Sequence, residues 1–301
     1  MSVLRVDAAV DGLATGASCV PDAVRALEPG AAVAVMIHGF RYMPGQPGHC
    51  PHESLFAPSP GFGRAAWPAA LGLDGRSGLG VGFGWPARGH LGAAYRTAGR
   101  AGKALARLVT ALREAGPNRR ITLLGHSLGA RVALSALPHL PAGAVDTLVL
   151  LTGAEFATAA AAAVASPAGR CVEVVNVVTR ENLLFDTGFS LALSGGLRRT
   201  IGGGLDRAGP GWIDLPLHRP EVLDRLAALG YPVAGPDAKV SHWSAYTRAG
   251  ALALWSGIIS GRLPPSALRG VLPSRPRPGR RPPLPRLPRL PALPILRNSP
   301  S

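Results

Sequence analysis

The stretch from residue 119 to residue 140 restricts the fold of this chain more than any other. Its first part, RRITLLGH, is typical of a buried strand, and its last part, GARVALSALPHL, is typical of an amphipathic helix. Between them Gly125-His126-Ser127-Leu128-Gly129 forms the pattern G-x-S-x-G. With a strand before it and a helix after it, this pattern predicts a nucleophile elbow, a tight turn that raises the Ser127 hydroxyl above a sheet.

Further strand-like and helix-like runs alternate along the first 262 residues. We predict additional strands at 31–40, 78–85, 146–153 and 171–178, and helices at 91–116, 154–166 and 220–229. This alternation predicts an α/β fold class with a doubly wound, mostly parallel sheet. The domain prediction is one α/β domain over 1–262, with the Pro- and Gly-rich stretch 41–77 as a loop insertion or lid.

The remaining residues, 263–301, have a different composition. They hold 12 of the 30 prolines and eight arginines but no acidic residue. Proline removes backbone donors and blocks helices, so we predict a disordered, extended tail. Most of the net charge of +15 sits there, because the first 262 residues hold 24 basic and 17 acidic residues. We expect no specific nucleic-acid partner, whereas the basic tail is suited to anionic surfaces or a partner domain, if it is more than a solvated segment.

Cysteine usage and the first residues bear on the compartment. The three cysteines lie far apart in the sequence, which fits free thiols in a reducing cytoplasm. Asp7 and Asp11 stand where a signal peptide would carry its apolar region. The chain has no run of 18 apolar residues, so we expect no transmembrane segment and a cytoplasmic location.

Two backbone amides are candidates for an oxyanion hole near Ser127. Leu128 opens the predicted helix, where free amides and the positive end of the helix dipole point at the serine. His38-Gly39-Phe40 ends an earlier buried strand, and Gly39 allows the chain to turn so that the Phe40 amide faces the same place. We therefore predict Phe40 and Leu128 as the two donors.

A serine nucleophile needs a base, and a histidine is expected downstream of it. His139 lies at the far end of the helix that follows Ser127, which is the wrong end of the sheet. His218 and His242 remain, and we favour His242 because apolar and aromatic residues flank it in KVSHWSAY.

The acid that orients this base is expected in the loop after the strand at 171–178, where the sequence reads TRENLLFD. Glu181 and Asp186 are the leading candidates, and Glu155 after the preceding strand is a third. Asn182 stands where an aspartate would be most natural, but an amide does not stabilise an imidazolium by charge. The choice among the three carboxylates stays open at this point.

The segment HCPHE, residues 49–53, invites a metal interpretation. Its spacing does not match the paired ligands of a zinc site, and the sequence offers no second pair of ligands to complete one. We expect neither a metal nor a cofactor.

Together these segments resemble the α/β-hydrolase superfamily, in particular uncharacterised bacterial members similar to esterases and lipases. The resemblance extends over about residues 31–250 and rests on HGFRYMPGQPGHCPHE, GFGWPARG, GHSLGARVAL, TGAEF and TRENLLFD. It implies an α/β-hydrolase fold with Ser127 as nucleophile and His242 as base. The chain departs from the family pattern in lacking an aspartate at residue 182 or 183, which leaves the acid role unsettled.

The leading hypothesis is a serine hydrolase that cleaves small carboxylic esters through a Ser-His-acid triad. Two alternatives stand beside it. One is acyl transfer on the same fold to an acceptor other than water. The other is a non-catalytic α/β scaffold whose basic, proline-rich tail mediates an interaction.

Overall fold

A computed structural model of the chain describes residues 3–9, 12–57, 66–205, 209 and 211–272. The predicted tail falls outside these residues from position 273 onward, and so does part of the 41–77 insertion. The first ten residues of that tail, 263–272, are folded, because Leu263, Leu268 and Val271 are buried against the core; the disorder predicted for them is wrong. The described part of that insertion holds a short 3₁₀ turn at Pro51–Glu53 and a one-turn helix.

Eight strands form one sheet among the described residues. In chain order they are β1 Leu4–Ala9, β2 Gly12–Thr15, β3 Ala32–Ile37, β4 Gly78–Gly84, β5 Ile121–His126, β6 Thr147–Leu151, β7 Glu173–Val178 and β8 Trp212–Pro216. Their spatial order is β2-β1-β4-β3-β5-β6-β7-β8, with seven parallel strands and β2 antiparallel at one edge.

Helices cover both faces of this sheet. They are α1 Val20–Arg25, α2 Trp67–Ala70, α3 Leu91–Ala115, α4 Leu128–Ala136, α5 Ala157–Val164, α6 Leu183–Ser194, α7 Pro220–Ala228, α8 Ser244–Thr247, α9 Ala251–Ile259 and α10 Leu268–Val271. On one face α3 and α4 pack side chains such as Leu105 and Val132 against the sheet. On the other face Trp67 of α2 and Trp255 of α9 do so. Covered on both faces, β3 and β5 are buried at every residue, which explains their unbroken apolar runs.

The direction of winding reverses between β3 and β5. The chain leaves β3 toward β4 on one side, whereas it leaves β5 toward β6 on the other. Such a reversal leaves a crevice beyond the carboxyl ends of the two strands, where doubly wound sheets bind ligands. His38-Gly39-Phe40 follows β3 and Ser127 follows β5. The topology therefore brings both segments to the same crevice.

The structure confirms the predicted α/β fold class and the strands and long helix predicted from apolar patterning. It adds the strands β1, β2 and β8 and the helices α1, α2, α6, α8, α9 and α10, which the patterning did not identify. Residues 179–186, expected as a loop, form a 3₁₀ turn at Arg180–Asn182 and then the start of α6. Among the described helices, none combines the length and apolar character needed to span a membrane.

Candidate active site

Ser127 forms the turn between β5 and α4. Its backbone lies at φ 54° and ψ −124°, a conformation that costs an L-residue on the order of 1–3 kcal/mol. The glycines on either side make the turn possible because strand and helix touch there. A Cβ at Gly125 would lie 2.7 Å from the Gly129 carbonyl oxygen, and a Cβ at Gly129 would overlap the Ile37 carbonyl oxygen. The structure thus contains the elbow geometry that the motif predicts.

Backbone hydrogen bonds hold this strained turn. The Ser127 amide donates to the Leu151 carbonyl at the end of β6, 3.1 Å away. The Ser127 carbonyl accepts from the amides of Ala130 and Ala154, at 3.0 and 2.9 Å. The turn is therefore tied to α4 on one side and to the neighbouring strand on the other.

The segment after β3 lies directly against the serine. A Cβ at Gly39 would be 2.8 Å from the Ser127 Cβ, so only glycine fits at this distance. Buried His38 holds the Gly39–Phe40 peptide in place. Its Nε2 accepts a hydrogen bond from the Trp85 amide at 3.0 Å, so the ring proton is on Nδ1. Nδ1 donates this proton to the Gly39 carbonyl oxygen at 2.9 Å. In a trans peptide the amide points opposite to the carbonyl. The Phe40 amide is therefore directed away from His38.

Burial keeps the His38 imidazole neutral. Its pKa is lowered to about 3, chiefly because the ring is desolvated. Its ring also stacks on Trp85, with centroids 5.4 Å apart and planes 5° from parallel. His38 is thus a rigid support for the loop that carries Phe40.

The loop carrying His242 is anchored at three points. The Ser241 amide donates to the Glu181 carbonyl at 3.0 Å. The His242 carbonyl accepts from Thr152 Oγ1 and from His126 Nε2, each at 3.0 Å. His126 is the residue before Ser127, so the elbow itself holds the loop of the candidate base, and the two imidazole centroids lie 4.7 Å apart.

Thr152 occupies an unusual backbone position for this contact. Its φ is 44°, and positive φ is a genuine outlier for a β-branched residue. Its amide donates to the Val177 carbonyl at 3.2 Å while its hydroxyl reaches the His242 carbonyl. Strain at Thr152 therefore accompanies the anchoring of the His242 loop.

Asn182 is the partner of the His242 ring. Nδ1 of His242 donates to Asn182 Oδ1 over 2.6 Å. An amide oxygen only accepts, so the proton of a neutral ring is on Nδ1 and Nε2 is left free to accept one. The structure thus brings Asn182 to this nitrogen, rather than Glu181 or Asp186.

Asp186 contacts the Asn182 amide in turn. Its carboxylate is hydrogen-bonded to the Asn182 side chain, four residues earlier at the start of α6, and packs against Gly202. Desolvation raises the pKa of Asp186 to about 7, against a smaller lowering by the Asn182 hydrogen bond. His242, Asn182 and Asp186 therefore form a hydrogen-bonded row that ends in a carboxyl group.

The other two candidate acids are held elsewhere. Glu181 is buried in an ion pair with Arg248, whose guanidinium also donates to the Leu217 carbonyl at 2.7 Å. Glu155 is 1% exposed; it accepts from Arg131 at 2.6 Å and from the Tyr95 hydroxyl at 2.7 Å. Both carboxylates have cationic partners that account for their burial.

Among the residues that the structure describes, no anionic side chain contacts the candidate base directly. The pKa of His242 is lowered to about 3, first by desolvation and then by the nearby His126. The pKa of His126 is lowered to about 4 by its own burial. Both rings are therefore neutral near pH 7. His218, the other histidine considered, lies after β8; burial lowers its pKa, as does Arg180, and it bonds to the Val178 backbone.

The segment 49–53 is organised around His52 rather than around a metal. His52 Nε2 lies 2.7 Å from Asp7 Oδ1, which ties the segment to β1. In the part of the chain that the structure describes, no group of three or more histidine, cysteine or acidic side chains is arranged to hold a metal ion.

Patterning alone did not indicate four residues of this site: His38, His126, Thr152 and Asn182. The position of Asn182 just after β7 did indicate the site, but its residue type argued against it because an amide carries no charge. The remaining three hydrogen-bond to backbone atoms of neighbouring loops, and sequence patterns do not encode such contacts.

Comparison with known proteins found one family model that matches part of the chain. Residues 65–153 match the family model described as "Alpha/beta hydrolase of unknown function (DUF900)". The matched segment contains β4, α3, β5, the elbow at Ser127, α4 and β6. No curated protein matched the chain.

Proposed function

We propose that this chain, whose elbow-bearing segment matches the model of an α/β-hydrolase family of unknown function, is a serine hydrolase that cleaves carboxylic esters. The observation that carries the proposal is the strained Ser127 turn, at φ 54°, tied to the loop of His242 through His126. A costly conformation held by surrounding contacts is typical of a working nucleophile.

In the proposed reaction Ser127 Oγ forms a bond to the ester carbonyl carbon while its proton passes to His242 Nε2. The carbonyl oxygen becomes an oxyanion, which accepts hydrogen bonds from the amides of Phe40 and Leu128. The tetrahedral intermediate then expels the alkoxide, which takes the proton from His242. Water attacks the acyl-enzyme with His242 again as base, releasing the carboxylic acid and restoring Ser127.

Asn182 is the third member of the proposed triad. Its Oδ1 keeps the Nδ1 proton in place, which leaves Nε2 unprotonated and able to accept the serine proton. A neutral amide orients the ring but adds no charge to stabilise the imidazolium. Asp186 supplies a carboxyl group one hydrogen bond further away, so we assign it the role of orienting the Asn182 amide.

The surroundings of His242 favour an apolar acyl group. The Phe185 ring stacks on the His242 ring with centroids 4.7 Å apart, and Trp243 meets Phe185 edge-on at 6.3 Å. These aromatic faces offer no charge to a substrate.

Labelling with a fluorophosphonate probe tests the proposal. The wild-type chain and Ser135→Ala should be labelled, and Ser127→Ala should not. Ser135 is the matched control because it lies in α4, the helix that begins at the elbow. The labelled protein should also hydrolyse p-nitrophenyl esters, with a preference for acyl chains longer than acetyl. Absence of labelling in the wild type would contradict the proposal.

A non-catalytic scaffold is the second candidate. It is favoured by the amide at 182, where a carboxylate would strengthen the base, and by the lowered pKa of His242. The same labelling experiment distinguishes a hydrolase from a scaffold, because a non-catalytic scaffold does not require a reactive Ser127.

A further inference from the structure

The outward face of α6 is apolar. Leu183, Leu184 and Leu191 are 63%, 65% and 57% exposed, while only Phe189 and Ser190 of this helix are buried. A surface helix of a globular protein normally turns polar side chains to water. The helix has one charged side chain, Asp186, and that one bonds to Asn182. Leucine side chains therefore face water in the first turn of this helix and again at Leu191.

The apolar surface continues to the candidate base. Trp243 and Val240, on the loop that carries His242, are 52% and 50% exposed. Phe185, which is 39% exposed, joins them to α6 because its ring contacts both His242 and Trp243. We call the set Leu183, Leu184, Phe185, Leu191, Val240 and Trp243 the apolar rim. Contiguous exposed apolar surface of this kind marks an interaction site.

At the carboxyl ends of the parallel strands, where Ser127 lies, the solvent-exposed charges are positive. Among the four residues after each of β3 to β8, every exposed charged side chain is an arginine: Arg41, Arg88, Arg180 and Arg219. Of these, Arg219 contacts Glu221. The two acids in these positions, Glu155 and Glu181, are buried in ion pairs.

The region beyond α6 continues this pattern. Arg198 and Arg199 follow the helix and are exposed, although the Arg198 guanidinium also packs over the Phe156 ring. Across the loop of His242, Asp237 and Lys239 are both exposed and offset each other. Exposed arginines therefore flank α6 at both ends, Arg180 before the helix and Arg198 and Arg199 after it.

We propose that the apolar rim docks on an anionic phospholipid surface. Leucine and tryptophan side chains enter the boundary between headgroups and acyl chains, and the bordering arginines contact the phosphates. A neutral protein partner would complement the leucines but not the arginines, whereas an anionic lipid surface complements both. Docking would present the site beside His242 to esters held in the lipid layer, a consequence that rests on the proposed function; the docking itself does not.

Flotation with vesicles tests the docking. The full chain carrying Ser127→Ala is mixed with vesicles of phosphatidylcholine, with or without phosphatidylglycerol, so that no turnover complicates binding. Leu184→Gln/Leu191→Gln should lower the partition coefficient on phosphatidylglycerol vesicles by about tenfold or more, because each leucine loses its apolar transfer. The basic tail is present in every variant, so its adsorption is common to all of them.

Leu229→Gln is the matched control. Leu229 is 45% exposed but follows α7, which runs back from the carboxyl end of β8, so it lies toward the amino-terminal ends of the strands and away from the rim. It should leave the partition coefficient unchanged. Equal losses in both variants, or no loss in Leu184→Gln/Leu191→Gln, would overturn the proposal.

Trp243 provides an independent readout. Trp67, Trp85 and Trp255 are fully buried and Trp212 is 8% exposed, against 52% for Trp243. Brominated lipids in the vesicles should therefore quench fluorescence in the parent chain and much less in Trp243→Phe. Unquenched parent fluorescence on bound vesicles would contradict docking through the rim. Dimerisation that Leu184→Gln/Leu191→Gln abolishes, without vesicle binding, would assign the rim to a second copy of the chain instead.

These results separate from those on the reaction. Vesicle binding without fluorophosphonate labelling would support the docking proposal and contradict the hydrolase proposal. Labelling without vesicle binding would support the hydrolase proposal and contradict the docking proposal.

Discussion

In the proposed triad, Asn182 and Asp186 divide between them what a single carboxylate does in a Ser-His-Asp triad. The amide sets the proton on Nδ1 of His242, and the carboxylate, hydrogen-bonded to that amide, fixes which way the amide faces. Direct contact between a carboxylate and an imidazole would also raise the pKa of the base. At the scale of single residues, His242 is therefore well oriented but weakly basic.

Exchanging the two side chains tests this division. In Asn182→Asp/Asp186→Asn the carboxylate meets His242 directly, and the amide behind it keeps the hydrogen bond between the pair. We expect kcat/KM for a p-nitrophenyl ester to rise about tenfold, which corresponds to a rise of about one unit in the pKa of the base. Asn182→Ala should lower kcat by about 10²-fold because the ring loses its orientation.

Glu181→Gln is the control for the rival acid. It leaves Arg248 buried without its counter-ion, so we expect it to lower the free energy of unfolding by about 3–5 kcal/mol. Its kcat per folded molecule should change far less than that of Asn182→Ala. A folded Glu181→Gln protein with an equally large loss of kcat would return the acid role to Glu181.

At the scale of elements, the contact between β3, β5 and α4 determines the site. Strand β5 pairs with β3, and α4 begins immediately after the turn at Ser127. Because Gly129 touches the Ile37 carbonyl, α4 starts against the end of β3, next to His38 and Gly39. The nucleophile and the candidate oxyanion loop are therefore neighbours through backbone packing.

Two glycine substitutions separate packing from helix propensity. Gly129→Ala should destabilise the protein by about 1–3 kcal/mol, the usual cost of forcing a group into a filled space, and should slow fluorophosphonate labelling. Gly188→Ala in α6 should stabilise it by about 0.5–1 kcal/mol, because a Cβ there meets no atom within 4 Å. Urea unfolding measures both. A harmless Gly129→Ala would mean that α4 sits farther from β3 than described.

Element prediction from patterning succeeded where a strand is covered on both faces or a helix has a clear apolar stripe. The runs at 31–40 and 119–126 and the long helix at 91–116 belong to these cases. It failed for α6, whose sequence LLFDTGFSLALS has no polar outer face and so lacks an amphipathic period. It also failed for β1, where the burial pattern shows Val6 alone as fully buried.

At the scale of the whole molecule, the buried imidazoles couple stability to pH. His38, His126 and His242 have pKa values lowered to about 3, 4 and 3, so the unfolded chain binds protons that the folded chain does not. Stability from these groups is complete above the unfolded value of about 6.5 and declines as the pH falls toward about 3. Asp186 acts in the opposite direction between about 4 and 7, because its raised pKa makes the folded state hold the extra proton.

The three imidazoles outweigh the single carboxyl group. We therefore expect the free energy of unfolding to decrease as the pH is lowered from about 6.5 to about 4. Urea titrations across this range measure it. In Asp186→Asn the decrease should be steeper, because the opposing group is gone. A free energy of unfolding independent of pH over this range would contradict the burial of these rings.

The sequence by itself determined the α/β class, the parallel sheet and the elbow at Ser127, because each follows from local periodicity or from residues adjacent in the chain. Only the tertiary structure decided that Asn182 contacts His242, that Glu181 is paired with Arg248, and that Thr152 and His126 hold the loop of His242. Those contacts join residues between 60 and 116 positions apart. Local patterning does not indicate which of several nearby polar side chains will face a given partner in the folded loop. Lengthening or shortening a turn by one residue changes the direction in which each of these side chains points.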